Sequence, residues 1–202
     1  MILQRVLLGR PGRLIAVIIV GVMMAGCGKQ EDPRVAEFRQ RVLVTSVAME
    51  PSSIAATLAK PDLTSNGEVT IAGRIYGGKT KPFEDGEASF SLIELPEPGH
   101  NHDDPGDCPF CKHKLDEAAM AMVQICDSAG KPVNIAADKL LGLTEKQDIA
   151  VSGHAKKVGD LLLIEATTIQ VLSTESSNNL ASLFARSVKQ QETEQETEQE
   201  SE

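Results

Sequence analysis

The chain has 202 residues, 41% of them hydrophobic, with a formal charge of −9, 3% aromatic residues and no tryptophan. That length suffices for one domain with a real core plus flexible ends. The acidic balance argues against a protein built to seek nucleic acid or anionic headgroups by charge, since it is repelled by both.

The start of the chain divides sharply. MILQRVLLGRPGR carries Arg5, Arg10 and Arg13 with no acidic residue, and an uncharged run of 13 residues follows from Leu14 to Gly26. At about 1.5 Å per residue such a run covers some 20 Å of a ~30 Å hydrocarbon core. It is short for a membrane span and fits the apolar region of a signal peptide better than an uncleaved anchor helix. Small residues, Ala25 and Gly26, then precede Cys27.

Met24-Ala25-Gly26-Cys27 resembles the bacterial lipobox, with Met where Leu is commoner. The resemblance implies a signal peptide over 1–26 and a palmitate-bearing Cys27 as mature N-terminus. It also implies a cell-envelope protein, lipid-anchored to a membrane and facing the periplasm or exterior. Removing three arginines takes the charge from −9 to −12 (−9 − 3). From Gly28 to about Ala36 the chain is polar without an apolar period, so 27–50 reads as lipidated cysteine and tether. A helix and linker follow over 51–67: SSIAATLAK opens with serine caps and is stopped by Pro61.

At Glu68 the period changes to two. EVTIAGRIY sets Val69, Ile71 and Ile75 against Thr70, Arg74 and Tyr76, with Gly73 at its centre. EASFSLIEL puts Ala88, Phe90 and Leu92 on one side. These two strands lead into an insertion at 96–118, PEPGHNHDDPGDCPFCKHKLDEA, far longer than the usual hairpin connection.

Cys108 and Cys111 stand at C-x-x-C spacing, which lets two thiolates meet one tetrahedral ion from a tight turn. His100 and His102 lie upstream, with Asp-Pro-Gly between to return the chain. Two sulfurs and two imidazole nitrogens would close a structural Zn²⁺ site, with His113 as alternate ligand. Asp103, Asp104 and Asp107 would orient the imidazoles or be solvated loop acids. All these ligands are local, so the metal would fold the insertion. Two rivals stay open. One is a more exposed site that captures or passes zinc or copper. The other is a Cys108–Cys111 disulfide or thiol–disulfide chemistry, although no strand-helix-strand scaffold precedes the motif. Covalent haem would need histidine directly after the second cysteine, where Lys112 stands.

AMVQIC sets Ala121, Val123 and Ile125 on a common face, and Asp127-Ser128-Ala129-Gly130 turns the chain into KPVNI. A short helical piece, AADKLLGL, precedes DIAVSGHAK, which again alternates and again carries a central glycine, Gly153. LLLIEATTIQVL, apolar on both sides at its start, completes the set. Glycine inside a strand marks a bulge or tight bend. The order strand, strand, strand, short helix, strand, strand resembles the OB-fold over 68–172. The expected fold class is therefore mainly β, a five-stranded OB-like barrel with flanking helices, a loose antiparallel sandwich being the alternative. The combination is also similar to small bacterial lipoproteins carrying such a domain. OB-folds often stack bases on aromatics in a basic groove, whereas the outward positions here offer Tyr76 and little else.

NNLASLFARSVK spaces Leu180, Leu183, Phe184 and Val188 on one helical stripe, giving a helix over 173–189. The acidic tail at 190–202, built on an ETEQ repeat without an aromatic, reads as disordered. Cys126 reads as a small packed residue that becomes an additional ligand only if its strand end lies beside the insertion. His154 reads as a surface histidine, and Glu94 and Glu165 as isolated strand acids. No Ser-His-Asp arrangement, phosphate loop or H-E-x-x-H is present. The expectation is a non-enzymatic binding or scaffolding module of the envelope with an unidentified partner.

Overall fold

Proline and an aspartate open the first described element. The computed structural model describes residues 32–60, 63, 67–78, 80–96, 118–159 and 161–199. Asp32 caps α1 (Pro33–Val42), its carboxylate accepting the Arg34 N–H at 3.0 Å. Val35, Phe38 and Val42, one stripe of an otherwise charged helix, are buried in the main core. At roughly 2 kcal/mol for each buried side chain, that stripe keeps α1 on the domain. The chain passes directly into β1 (Leu43–Val44), which pairs in parallel with β6 (Leu161–Val171) through Leu43↔Ile169 and Val44↔Gln170. The tether expected across 27–50 is thus corrected: residues 32–44 are helix and strand on the core. Their charge hid a three-residue apolar stripe.

The remaining strands are β2 (Gly67–Ile75), β3 (Ser89–Ile93), β4 (Met120–Gln124) and β5 (Asp148–Val158). Together with β1 and β6 they form one six-stranded mixed sheet in the order β1-β6-β4-β3-β2-β5, with β5 also pairing β6. The five strands expected from the alternation are all present, β1 is the addition, and the molecule is mainly β with several short helices. Pairing runs from β2 through β3, β4, β6 and β5 and returns to β2. Every pair on that route is antiparallel except β4 with β6. The alternating sets point inward together: Ile71, Ile75, Phe90, Leu92, Ala121, Val123, Ile149, Val151, Leu162 and Ile164 are all fully buried.

The outward side is only partly bare. α4 (Thr174–Gln199) lays Leu180, Ala181 and Phe184 over Ala72, Leu95 and Leu172 as a second, smaller cluster. Thr70 and Ser152, opposite one another on β2 and β5, are buried and share a hydrogen bond of 2.7 Å between their hydroxyls. α4 continues to Gln199, so residues 190–199 are helical where disorder was expected. Glutamate and glutamine are good helix formers, and neither glycine nor proline interrupts them.

Two further helices seal the ends. α2 (Ile54–Leu58) is capped by Ser53, whose hydroxyl accepts the Ala56 N–H at 3.0 Å, and it buries Ile54 and Thr57. Just before it, Ser52 hydrogen-bonds to both Thr70 and Ala72 and so supplies β2 with a partner where β3 does not reach. α3 (Ala137–Leu141) buries Leu140 and Leu141 and stops at Gly142 in the left-handed region, φ 73°. Arg39 of α1 donates to the Leu140 and Lys139 carbonyls at 3.0 and 3.1 Å, filling acceptors the helix end leaves open.

The strand glycines serve close backbone approach. At Gly153 the β5–β6 register shifts, and an added Cβ would run into the Glu165 carbonyl of β6. At Gly73 an added Cβ would sit 2.6 Å from the Ile93 carbonyl of β3. Gly153→Ala should therefore cost about 2 kcal/mol or more in urea unfolding, as overpacking against backbone does. Gly67→Ala, where nothing lies within 4 Å, should stay within about 1 kcal/mol of wild type.

Candidate functional site

The expected metal ligands Cys108, Cys111, His100 and His102, the alternate ligand His113, and the lipidation residue Cys27 lie outside the described residues. So do Asp103, Asp104 and Asp107. The structure therefore describes the stem of the His/Cys insertion rather than its ligands. That stem is the end of the β3–β4 ladder, paired out to its last register pair, Ile93↔Met120.

Each side of the stem is tied down differently. Leu95 is buried in the small cluster with Ala72 and Ala181, under α4. Ala119 packs against the main core. Between these, half-buried Glu94 accepts hydrogen bonds from the backbone N–H groups of Ile54 and Ala55 and so fills open donors in the first turn of α2. Burial pushes its carboxyl above the ordinary range, and those two hydrogen bonds only partly oppose the rise. Glu94 is thus the clasp between the insertion's stem and α2, a role its sequence neighbourhood does not reveal because the nearer of its partners, Ala55, lies 39 residues away.

The other candidate groups lie where β4 ends. Cys126 is half-buried and forms an isolated bridge with Pro132. Burial, then the nearby Glu165 and Asp127 carboxylates, raise its thiol pKa, so it remains protonated and a poor nucleophile at neutral pH. His154 is exposed and stands opposite Glu165 in the β5–β6 register. Glu165 pairs with Lys156 across the same strands at 3.4 Å. Asp127 accepts the Ala129 and Lys131 N–H groups, which tighten the turn and lower its pKa. Arg74 and Asp148, opposite each other on β2 and β5, form a bidentate pair at 2.6 and 2.9 Å. Among the described residues no group of three or more His, Cys, Asp or Glu side chains could hold a metal ion.

Beside the stem the outward face of β4, β6 and β5 carries a feature that the alternation alone passed over. Met120 and Val158 are exposed at 40% and 55%, and Met122, Leu161 and Leu163 are partly exposed. Register sets Met122 beside Leu163, and Leu161 beside Val158. The sign was visible in Leu161 to Ile164, apolar on both faces: full burial was expected for part of that strand, yet its outward side chains stay half in solvent. Elsewhere, a shallow groove of about 420 Å³ runs between Val47, Met49, Gln170, Leu172, Asn179 and Leu180. Glu50 is the one titratable residue lining it. No helix among the described residues is long and apolar enough to cross a membrane.

No family model and no curated protein matches the chain. Among solved structures it is similar to aspartyl tRNA synthetase from Entamoeba histolytica, with 14% identity and a TM-score of 0.37. That similarity covers 63% of this chain and 22% of the synthetase, so the chain spans about a fifth of that protein's length. A likeness this distant bears on neither fold nor activity.

The clasp at Glu94 has a pH signature. A carboxyl whose folded pKa lies above its unfolded one holds its proton more tightly when folded. Its contribution is complete below the ordinary value of 4.5 and is lost as pH rises through the raised folded value. Glu94→Gln keeps an acceptor but cannot titrate, so urea unfolding between pH 4 and 8 should lose that part of the slope. At pH 7 the Gln variant should match or exceed wild type, and Glu94→Ala should fall about 1 kcal/mol below the Gln variant for want of the cap.

Proposed function

We propose that this is a lipid-anchored envelope protein whose strands β2–β6 form an OB-like barrel and whose insertion is clipped by structural zinc. Its work is binding or scaffolding, not catalysis. The barrel reading is supported by the returning route of strand pairing, the parallel β4–β6 pair, α3 between β4 and β5, and the close approaches at Gly73 and Gly153. The anchor reading is supported by the arginines, short apolar run and Met24-Ala25-Gly26-Cys27 of the leader.

One observation carries the zinc reading. HNHDDPGDCPFCKH falls between two strands paired to their last residues, with Leu95 and Ala119 packed at either foot. A polar segment of this length, held at both ends and poor in apolar residues, lacks a core of its own, and four local ligands replace one. Four protein ligands leave no open position for water chemistry. The carboxylate described at the stem, Glu94, already has a structural task on α2. Net charge and aromatic poverty speak against a nucleic-acid partner. The half-exposed apolar face of β4, β6 and β5, next to the stem, favours a partner with apolar side chains.

Elemental analysis of protein purified under reducing conditions should find one zinc per chain that resists mild chelation. Cys108→Ser with Cys111→Ser should abolish it, and His100→Ala or His102→Ala should weaken it at least tenfold, more than His113→Ala does. Metal that exchanges readily would turn the reading toward zinc or copper handling. Metal-free protein with a mildly reducible Cys108–Cys111 disulfide would replace it with thiol chemistry.

A further inference from the structure

The helix that opens the described domain begins much nearer to Cys27 than a polar sequence alone implies. Only Gly28, Lys29, Gln30 and Glu31 separate Cys27 from Asp32, the cap of α1. Fully extended, the path from Cys27 to Asp32 spans at most about 18 Å. A tether reaching to residue 50 would have spanned about 80 Å. α1 does not lend length to it: Val35, Phe38 and Val42 are buried, and Arg39 is bonded to the end of α3. At its first turn Arg34 donates to Asn134 at 3.1 Å.

Resting on the proposed acylation of Cys27, we infer that the domain is held within about 18 Å of the lipid headgroup layer, with the Asp32 end of α1 turned toward it. The chemistry of that end fits a surface laid against headgroups without entering them. Arg34 and Asp32 neutralise one another at 2.8 Å. The exposed large apolar side chains among the described residues, Met49, Met120, Val158, Val171 and Leu183, all lie elsewhere in the sequence. The length of chain between Cys27 and Asp32 limits the height of the domain above the headgroups. The partner it meets is therefore one held at the same membrane, not one across a wide aqueous gap.

The test uses the full, natively acylated protein on a supported bilayer of phosphatidylethanolamine with a minor fraction of phosphatidylglycerol, read by neutron reflectometry. Intact-mass measurement reports acylation separately. Acylated protein should show no water layer thicker than about 18 Å between headgroups and domain. A thicker layer beneath acylated protein overturns the inference, because α1 must then leave the core. A mass without acyl chains overturns instead the anchor on which it rests. Inserting about a dozen Gly/Ser residues after Glu31 should open the layer by about 20 Å. An unchanged layer in that variant would mean that the domain's own surface grips lipid, and would overturn the tether as the cause.

Discussion

Everything in this fold turns on how closely β5 approaches β6 at Gly153. There the register slips by a residue, and only a side chain without a Cβ clears the Glu165 carbonyl. The slip lets one eleven-residue strand serve two neighbours, β2 along its first part and β6 along its whole length. A bulge of this kind bends its strand and increases local twist. With β5 held on both edges the inward side chains of five strands converge, and the core from Ile71 to Ile169 excludes water. Gly73 does the same on the opposite flank, where β3 passes β2.

Around that core the charged groups are spent on backbone ends. Asp32 caps α1, Arg39 takes the last carbonyls of α3, Glu94 takes the first N–H groups of α2, and Asp127 ties its own turn. These bonds match each group to donors or acceptors that secondary structure leaves unpaired. They also explain why the described carboxylates do not gather into a site. The stem of the insertion is tied to α2 through one of them, Glu94, so the two share a fate. Weakening one loosens the other.

The strands were legible because each alternates, and alternation is what a sheet buried on one side demands of its sequence. The turn at Asp127 to Gly130 was legible for a similar local reason. α1 was not. PRVAEFRQRV shows four charges for three buried apolar residues, and only the packing partners in α3 and β6 reveal the stripe. β1 is two residues long and owes its existence to β6. The helicity of residues 190–199 was hidden for the opposite reason, since lack of apolar residues suggests disorder while propensity favours helix. Of the candidate site, the ligand spacing is written in the chain. The attachment of its stem is not, because Glu94 finds Ala55 through the fold rather than along the sequence.

The parallel pairing of Leu43 with Ile169 has a consequence for how the molecule is made. A polypeptide synthesised from its N-terminus exposes α1 and β1 long before β6 exists. Contacts of such wide sequence separation close late and slowly. The hairpin of β5 and β6, by contrast, needs only neighbours and can form as soon as it emerges. The residues of α1 and β1 are therefore among the last to be locked in place, and assembly runs from the back of the sequence toward its front.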